Sequence, residues 1–235
     1  MDTSAHPLVI SPHPDDAALS IGGLLATRFP TARIWNVFTR SREACGTGEW
    51  TTAERRREDE EFADRFGFTS LYSSHSDSNA RGVPWENRGV PVADTLIEAV
   101  AAELAVLLER TEEVEALLIP AAVGDHPDHR ICLAAASLVI SETVRTPPPA
   151  FLYFEQPYLM LMRAELRGWR REALAEASRL PVRPELREAM LGCYPSQVSE
   201  ALIAELHRNA PFEWLSPLTA HIRVAIGTER TSHAA

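Results

Sequence analysis

Short apolar segments alternate with helical segments along the first 155 residues, and this alternation is the strongest constraint on the fold. Each apolar run is bounded by turn-forming residues, as buried strands are, whereas the longer segments between them show apolar residues at helical spacing. Strands are predicted at Leu8–Ile10, Arg33–Phe38, Thr69–Tyr72, Val114–Ile119 and Phe151–Phe154, and helices at Ala17–Arg28, Thr52–Gly67, Val92–Glu109 and His129–Val144. Strands that alternate with helices form a parallel sheet covered on both faces.

The sequence therefore predicts an α/β fold with a Rossmann-like, mostly parallel sheet flanked by helices on both faces. A length of 235 residues suits one such domain, 1–235, with its core in residues 6–155. Residues 156–235 are expected to add a specificity region, a helix at Val198–Leu206 and a late strand at His221–Ile226. Pro157–Arg183 fits either a helical or an irregular segment, and Ser73–Val90 is predicted to be a long functional loop.

Composition excludes several classes of function. A formal net charge of -10 argues against a nucleic-acid partner, and the absence of lysine removes Schiff-base and phosphate-loop lysine chemistry. No segment is long and apolar enough to predict a membrane span, and no signal peptide is visible. Three widely spaced cysteines predict no disulfide framework, so the expected location is cytoplasmic. The oligomeric state, including a homo-oligomer, stays open.

Two histidine- and aspartate-rich motifs, "SPHPDD" at Ser11–Asp16 and "GDHPDHR" at Gly124–Arg130, each follow a predicted strand and precede a predicted helix. Ligands of parallel sheets bind beyond the carboxyl ends of strands, so the two motifs are expected to meet. His13, Asp16 and His129 would then supply three metal ligands and leave one position for water. Either motif alone is equally well explained as a turn or a capped helix start, but their joint placement favours a metal site.

The remaining polar residues of the motifs have the chemistry of acid–base catalysis. Asp15, beside the metal, is placed to accept a proton from bound water. His126 is a candidate for protonating a leaving amine or stabilising an oxyanion, and Asp128 is a candidate for orienting that histidine. Two histidines and one carboxylate also form the iron site of non-haem oxygenases. The alternation of strands and helices argues against the all-β scaffold expected for that class.

The two motifs closely resemble those of the PIG-L/LmbE family of zinc-dependent N-deacetylases. The resemblance implies that His13, Asp16 and His129 hold Zn²⁺, with Fe²⁺ as the alternative metal, and that Asp15 is the general base. It further implies that His126 assists the oxyanion or the leaving group, with Asp128 as its orienting partner.

Further segments are similar to the family as well, so the resemblance covers nearly the whole chain. "RRRE" at Arg55–Glu58 resembles its R-x-x-E helix, and "DSNARG" at Asp77–Gly82 resembles its substrate-binding loop. The resemblance therefore predicts that Arg55, Asp77 and Arg81 bind substrate. Later matches are "YFEQPY" and "YPSQ", whereas Arg42 stands where many members have a glycine.

The predicted function is hydrolysis of an N-acyl, expected N-acetyl, group from a small-molecule amino-sugar conjugate. Two alternatives remain at this point: an amidase acting on a larger thiol or natural-product conjugate, and a non-catalytic carbohydrate-binding relative. The presence of both Asp15 and His126 argues against the non-catalytic alternative.

Overall fold

A computed structural model describes residues 6–45, 48–84, 88, 90–111, 114–142 and 147–232 of the chain. Its strands are β1 (Pro7–Ser11), β2 (Arg33–Arg40), β3 (Arg42–Cys45), β4 (Gly48–Thr51), β5 (Thr69–Ser76), β6 (Ala116–Pro120), β7 (Ala150–Tyr153), β8 (Ser178–Pro181) and β9 (Phe212–Pro217). Its helices are α1 (Asp16–Arg28), α2 (Thr52–Phe66), α3 (Asp94–Arg110), α4 (Pro127–Glu142), α5 (Tyr158–Met162), α6 (Gly168–Glu176), α7 (Pro184–Leu191), α8 (Glu200–Asn209) and α9 (Ala220–Ser232).

The described strands form a seven-stranded sheet in the order β5-β2-β1-β6-β7-β9-β8. The first five strands in this order pair in parallel, while β9 pairs antiparallel with both β7 and β8. Residues beyond 155 therefore extend the same sheet by two antiparallel strands, of which β8 forms the edge. The predicted α/β fold with a mostly parallel, Rossmann-like sheet is confirmed.

Helices cover the sheet on both faces, and the side-chain alternation of β1 shows how. Leu8 and Ile10 join a core with α3, α4, α6 and α9, whereas Val9 joins a second core with α1, α2, α7 and α8. Because successive side chains of a strand point to opposite faces, one strand contributes to both cores. β1 is buried along its whole length, as a central parallel strand should be.

Three features of the sheet and its edges differ from the sequence predictions. The predicted strand at His221–Ile226 is wrong, since these residues lie in α9. The β-branched composition is overridden by packing: Ile222 and Ile226, four residues apart, are both buried in the core shared with α4 and α6. The predicted loop at Ser73–Val90 starts later, because β5 continues to Ser76. Segment 42–51, for which no strand is predicted from the sequence, contains the antiparallel hairpin of β3 and β4.

The polar segments all lie at the carboxyl ends of the parallel strands. The first motif follows β1, the second follows its neighbour β6, "DSNARG" follows β5, and Glu155 follows β7. All four strands run in the same direction, so their carboxyl ends lie together. Among the described helices, none has both the length and the apolar character needed to cross a membrane.

Candidate metal centre and active site

The turn between β1 and α1 is held by short-range hydrogen bonds that bring His13 and Asp16 together. Ser11 Oγ donates to the His13 carbonyl at 2.6 Å and accepts from the Ala17 amide at 3.2 Å. The His13 amide donates to Asp16 Oδ2 at 2.8 Å. These short-range hydrogen bonds place the Asp16 carboxylate beside the histidine of its own motif.

The turn between β6 and α4 has an unusual backbone. Ala122, Gly124 and Asp125 have positive φ values of 54°, 83° and 56°, and α4 then begins at Pro127. Proline suits the first position of a helix, where the missing amide has no helical partner. This connection places His126 beyond the carboxyl end of β6 and His129 near the start of α4.

His13, Asp16 and His129 converge around one carboxylate oxygen. His13 Nδ1 lies 3.0 Å and His129 Nε2 lies 3.2 Å from Asp16 Oδ2. The three side chains offer donor atoms that all lie within 4.8 Å of one another. His129 Nε2 is buried and makes no hydrogen bond within the described part of the chain.

The other ring nitrogen of each histidine is held by a second buried carboxylate. Asp128 Oδ2 lies 2.9 Å from His13 Nε2, and Glu155 Oε1 lies 3.0 Å from His129 Nδ1. Carboxylates bonded to the outer nitrogen of a metal-binding histidine fix its ring orientation and raise its basicity. Both rings are therefore oriented so that His13 Nδ1 and His129 Nε2 face the Asp16 carboxylate.

This donor set fits a divalent metal ion. Two imidazole nitrogens and one carboxylate oxygen are the ligands of many catalytic zinc sites, and His129 Nε2, buried and facing Asp16 Oδ2, supplies one of these nitrogens. A second, overlapping group of His13, His126 and Asp128 also has donor atoms within 4.8 Å. In that group the Asp128 carboxylate is already used by His13, the Ser78 amide and Arg81.

The electrostatics of the cluster agree with a cation-binding role. Burial alone would lower the pKa of His13, but hydrogen bonds to Asp128 and Asp16 outweigh it and raise the pKa to about 9. Burial likewise opposes protonation of His129, yet Asp16 and Glu155 raise its pKa to about 10. The pKa of Asp16 lies well below its usual range: burial would raise it, but the two histidines lower it. The carboxylates thus favour positive charge here.

His126 differs from the other two histidines. Burial, with the charges of His129 and His13, lowers the pKa of His126 to about 2, so its ring is neutral. Its Nδ1 accepts a hydrogen bond from the Asp128 amide at 3.2 Å. An accepting Nδ1 in a neutral ring leaves the proton on Nε2. His126 Nε2 is therefore a hydrogen-bond donor.

Asp128, predicted to orient His126, contacts that histidine through its main-chain amide and directs its carboxylate to other partners. The carboxylate of Asp128 bonds to His13, to the Ser78 amide at 2.8 Å and to Arg81 Nη2 at 2.7 Å, whereas His126 receives the main-chain amide. Asp128 therefore orients the metal-site histidine of the other motif.

Asp15 lies at the rim of the cluster and is paired with Arg55. Arg55 Nη2 lies 3.1 Å from Asp15 Oδ1, and Arg55 Nη1 donates to Ser41 Oγ at 2.7 Å and lies 3.7 Å from Asp77 Oδ2. The side chain of Asp15 is 15% exposed and that of Arg55 is 8% exposed. The predicted base is thus more accessible than the guanidinium that holds it.

The three predicted substrate-binding residues are all close to the site, but each already has protein partners. Asp77 accepts from the Ala80 amide at 2.8 Å, and Arg81 donates to the Ser76 carbonyl at 2.6 Å as well as to Asp128. Their roles in substrate binding stay predictions. Arg42 lies in β3, and its side chain is outside the described residues.

Two residues of the site were not predicted from the sequence. Glu155 bonds to His129, and its oxygens also accept from the amides of Ala122 at 2.7 Å and Val123 at 3.3 Å. Tyr158 places its ring 5.4 Å from that of His129 and 6.2 Å from that of His126. Both belong to the "YFEQPY" segment, so the family-like pattern there was the available signal.

Comparison with characterised proteins finds a deacetylase that is similar in sequence. The 2'-N-acetylparomamine deacetylase of Streptomyces fradiae is 33% identical over 162 residues, which cover 64% of this chain and 57% of that protein. The matched region thus spans little more than half of the relative's length.

Solved structures share the fold. A deacetylase–teicoplanin complex from the teicoplanin biosynthesis pathway superposes with a TM-score of 0.71 at 22% identity, covering 91% of this chain and 98% of that chain. The 4-carboxy-2-hydroxymuconate hydratase of Pseudomonas putida KT2440 superposes with a TM-score of 0.61 at 15% identity, covering 92% and 96%. The fold alone therefore does not decide between these reactions.

The family profile of GlcNAc-PI de-N-acetylases, PIG-L, matches residues 8–140 of the chain. This range includes both motifs, the α2 helix and the "DSNARG" segment, which is more than half of the sequence. The chain belongs to the PIG-L family of de-N-acetylases.

Proposed function

We propose that the chain is a metal-dependent hydrolase that removes an N-acyl group, in the first instance N-acetyl, from a small-molecule amino-sugar conjugate. The observation that carries the proposal is the convergence of His13, Asp16 and His129, with the rim carboxylate of Asp15 beside them. Zn²⁺ is the proposed metal, with Fe²⁺ as the alternative, because imidazole and carboxylate ligands suit both.

His13 Nδ1, Asp16 and His129 Nε2 would hold this metal. When bound, the cation would lower the pKa of a water molecule towards about 7 and polarise the acyl carbonyl, which is the chemistry that amide hydrolysis requires. Asp128 and Glu155 keep the two imidazoles oriented.

Asp15 accepts a proton from the attacking water while the water oxygen forms its bond to the acyl carbon. Arg55 holds one oxygen of this carboxylate and restricts its position. As the carbon–nitrogen bond breaks, the same proton passes from Asp15 to the leaving amine. The second proton of the water stays on the oxygen that attacked, so the immediate products are a carboxylic acid and the free amino sugar. The acid then loses this proton to solvent, and one residue serves as base and then acid.

His126 stabilises the negative charge that develops on the acyl oxygen. Its ring is neutral, and its Nε2 proton is available because Nδ1 already accepts from the Asp128 amide. A donor fixed in a buried site contributes most where charge appears during the reaction. Between the two roles considered for His126, these properties favour the oxyanion donor over the acid that protonates the amine.

The charge of the protein favours an amino sugar that carries further amines. The chain has a net charge of -10 and no lysine, and a substrate with ammonium groups would approach it favourably. The relative from Streptomyces fradiae is named for an N-acetylated substrate of this kind. We therefore propose N-acetylparomamine-like conjugates ahead of neutral N-acetylglucosamine derivatives.

The test is amine release by the purified protein, loaded with Zn²⁺ or Fe²⁺, from 2'-N-acetylparomamine, N-acetylglucosamine and a larger natural-product amide. We expect metal-dependent release of the amine and acetate in equal amounts, fastest from the cationic sugar. Release from the larger amide alone would support the amidase alternative. A metal-loaded protein that releases amine from none of the three would refute the proposal.

The structural similarity to a hydratase provides a second candidate, addition of water to a carbon–carbon double bond. The same assay includes 4-carboxy-2-hydroxymuconate as an additional compound. Loss of its ultraviolet absorbance together with no amine release would favour the hydratase. Amine release with unchanged absorbance would favour the deacetylase.

A further inference from the structure

The turn that carries His126 is held in an unfavourable backbone conformation. Ala122 and Asp125 are not glycines, yet their φ values are 54° and 56°. Residues other than glycine adopt this left-handed conformation infrequently, because the Cβ atom crowds the backbone. Such a turn persists only where surrounding contacts determine it, and such turns cluster at functional sites.

One side of this turn is held by Glu155, whose carboxylate accepts from the Ala122 and Val123 amides. The other side is held by Arg170 of α6. Arg170 Nε donates to the Ala121 carbonyl at 3.0 Å, and Arg170 Nη2 lies 3.3 Å from Asp125 Oδ1. Arg170 therefore contacts the first and the last residue of the turn, Ala121 and Asp125, through two different nitrogens of its guanidinium.

The position of Arg170 is itself restricted. Its guanidinium lies 4.5 Å from the ring centre of Trp169, which is buried in the core, and the Arg170 side chain is 14% exposed. Guanidinium stacking on an aromatic ring and a planar fork of donors both limit how far the group can move. Arg170 is therefore a rigid contact on the residue directly before His126.

We propose that Arg170 is a positioning residue for His126, acting through Asp125 and the Ala121 carbonyl. This inference rests on the proposed function, in which His126 Nε2 donates to the developing oxyanion. Without Arg170 the left-handed residues relax, and the His126 donor shifts relative to the acyl oxygen. The residue lies outside both motifs, in the region beyond 155 that was expected to add a specificity region and late sheet and helix elements.

The first test measures the turn without using activity. Hydrogen–deuterium exchange is compared in wild type, Arg170→Ala and Arg171→Ala, where Arg171 is the exposed neighbour on α6. We expect faster exchange in Arg170→Ala for the peptide covering 121–126, whose Asp125 amide donates to the Ala122 carbonyl at 3.2 Å. The peptide covering the first motif and the Arg171→Ala variant should be unchanged. Unchanged exchange at 121–126 in Arg170→Ala would overturn the proposal.

The second test connects the turn to catalysis. We expect kcat of Arg170→Ala to fall about 10- to 100-fold, as small misplacements of catalytic groups do, with KM and metal content near wild type. Arg170→Lys should recover only part of this loss, because an ammonium cannot reproduce both contacts. In a His126→Ala background, adding Arg170→Ala should change kcat less than about twofold, because coupled residues are not additive.

The outcomes separate this inference from the proposed function. Faster exchange with an unchanged kcat, or an equal loss of kcat in the His126→Ala background, would overturn the positioning role while leaving the deacetylase proposal intact. A wild-type protein that is inactive on all amides would refute the proposed function and the catalytic role of Arg170 with it. The exchange result would then still decide whether Arg170 fixes the turn.

Discussion

Arg55 Nη2 lies 3.1 Å from Asp15 Oδ1, so a nearly buried guanidinium holds the proposed base at the rim of the metal cluster. The same guanidinium bonds to Ser41 and approaches Asp77. The position of Arg55 therefore fits two roles, orienting Asp15 and binding a substrate hydroxyl, and kinetic constants distinguish them.

If Arg55 mainly orients Asp15, Arg55→Met should lower kcat by about 10- to 100-fold with little change in KM. If it mainly binds substrate in both ground and transition states, KM should rise while kcat stays near wild type. Steady-state kinetics over a range of substrate concentrations decide between them. Arg56→Met is the matched control, because Arg56 lies one residue away with a side chain that is 55% exposed.

Substitutions of the neighbouring residues Asp15 and Asp16 should affect catalysis and metal binding differently. Asp15→Ala is expected to abolish turnover and retain the metal, because Asp15 contacts Arg55, whereas Asp16 Oδ2 faces both metal-site histidines. Asp16→Ala should lose the metal and activity together. Elemental analysis of both purified variants, alongside the turnover assay, provides the measurement. Normal turnover in Asp15→Ala would contradict its assignment as the base.

Asp128→Asn should weaken metal binding, because Asp128 holds His13 Nε2. Loss of a carboxylate bonded to a ligand histidine typically costs about 10- to 100-fold in metal affinity. Competition with a chromogenic chelator measures this change, and Glu142→Gln at the far end of α4 is the control. Unchanged affinity combined with a reduced kcat would instead restore the original prediction that Asp128 acts on His126.

Glu213 should make the stability of the protein depend on pH. Burial raises the pKa of Glu213 from its usual value to about 7, although its carboxylate accepts from the Gly23 and Leu24 amides. A raised folded-state pKa means that the stabilising contribution is complete below about pH 4.5 and is lost as the pH rises through 7. At about 1.4 kcal/mol per pKa unit, the loss is on the order of 3 kcal/mol.

Urea unfolding of wild type and Glu213→Gln between pH 5 and 8, in roughly half-unit steps, tests this prediction. The difference in the free energy of unfolding between the two proteins should shift in favour of Glu213→Gln as the pH rises. Glu172→Gln, an exposed carboxylate on α6, should show no such trend. A difference that stays constant over this range would show that Glu213 does not titrate there.

The motif geometry could be predicted from sequence because each motif is local. His13 and Asp16 belong to one turn, and His129 follows the strand next to it in the sheet. Glu155 and Arg170 could not be predicted in the same way, because their contacts depend on where β7 and α6 lie in three dimensions. The wrong strand prediction at His221–Ile226 has the same cause, because the packing of α9 on α4 and α6 is not visible in the sequence.

Glu155 Oε1 accepts from the Ala122 amide and also contacts His129 Nδ1, so one atom belongs to both the metal centre and the turn of His126. These contacts are made entirely within the polypeptide. A substitution at residue 155 that alters the contact with His129 therefore also alters the support of the turn before His126, and the two halves of the site do not vary independently at this position.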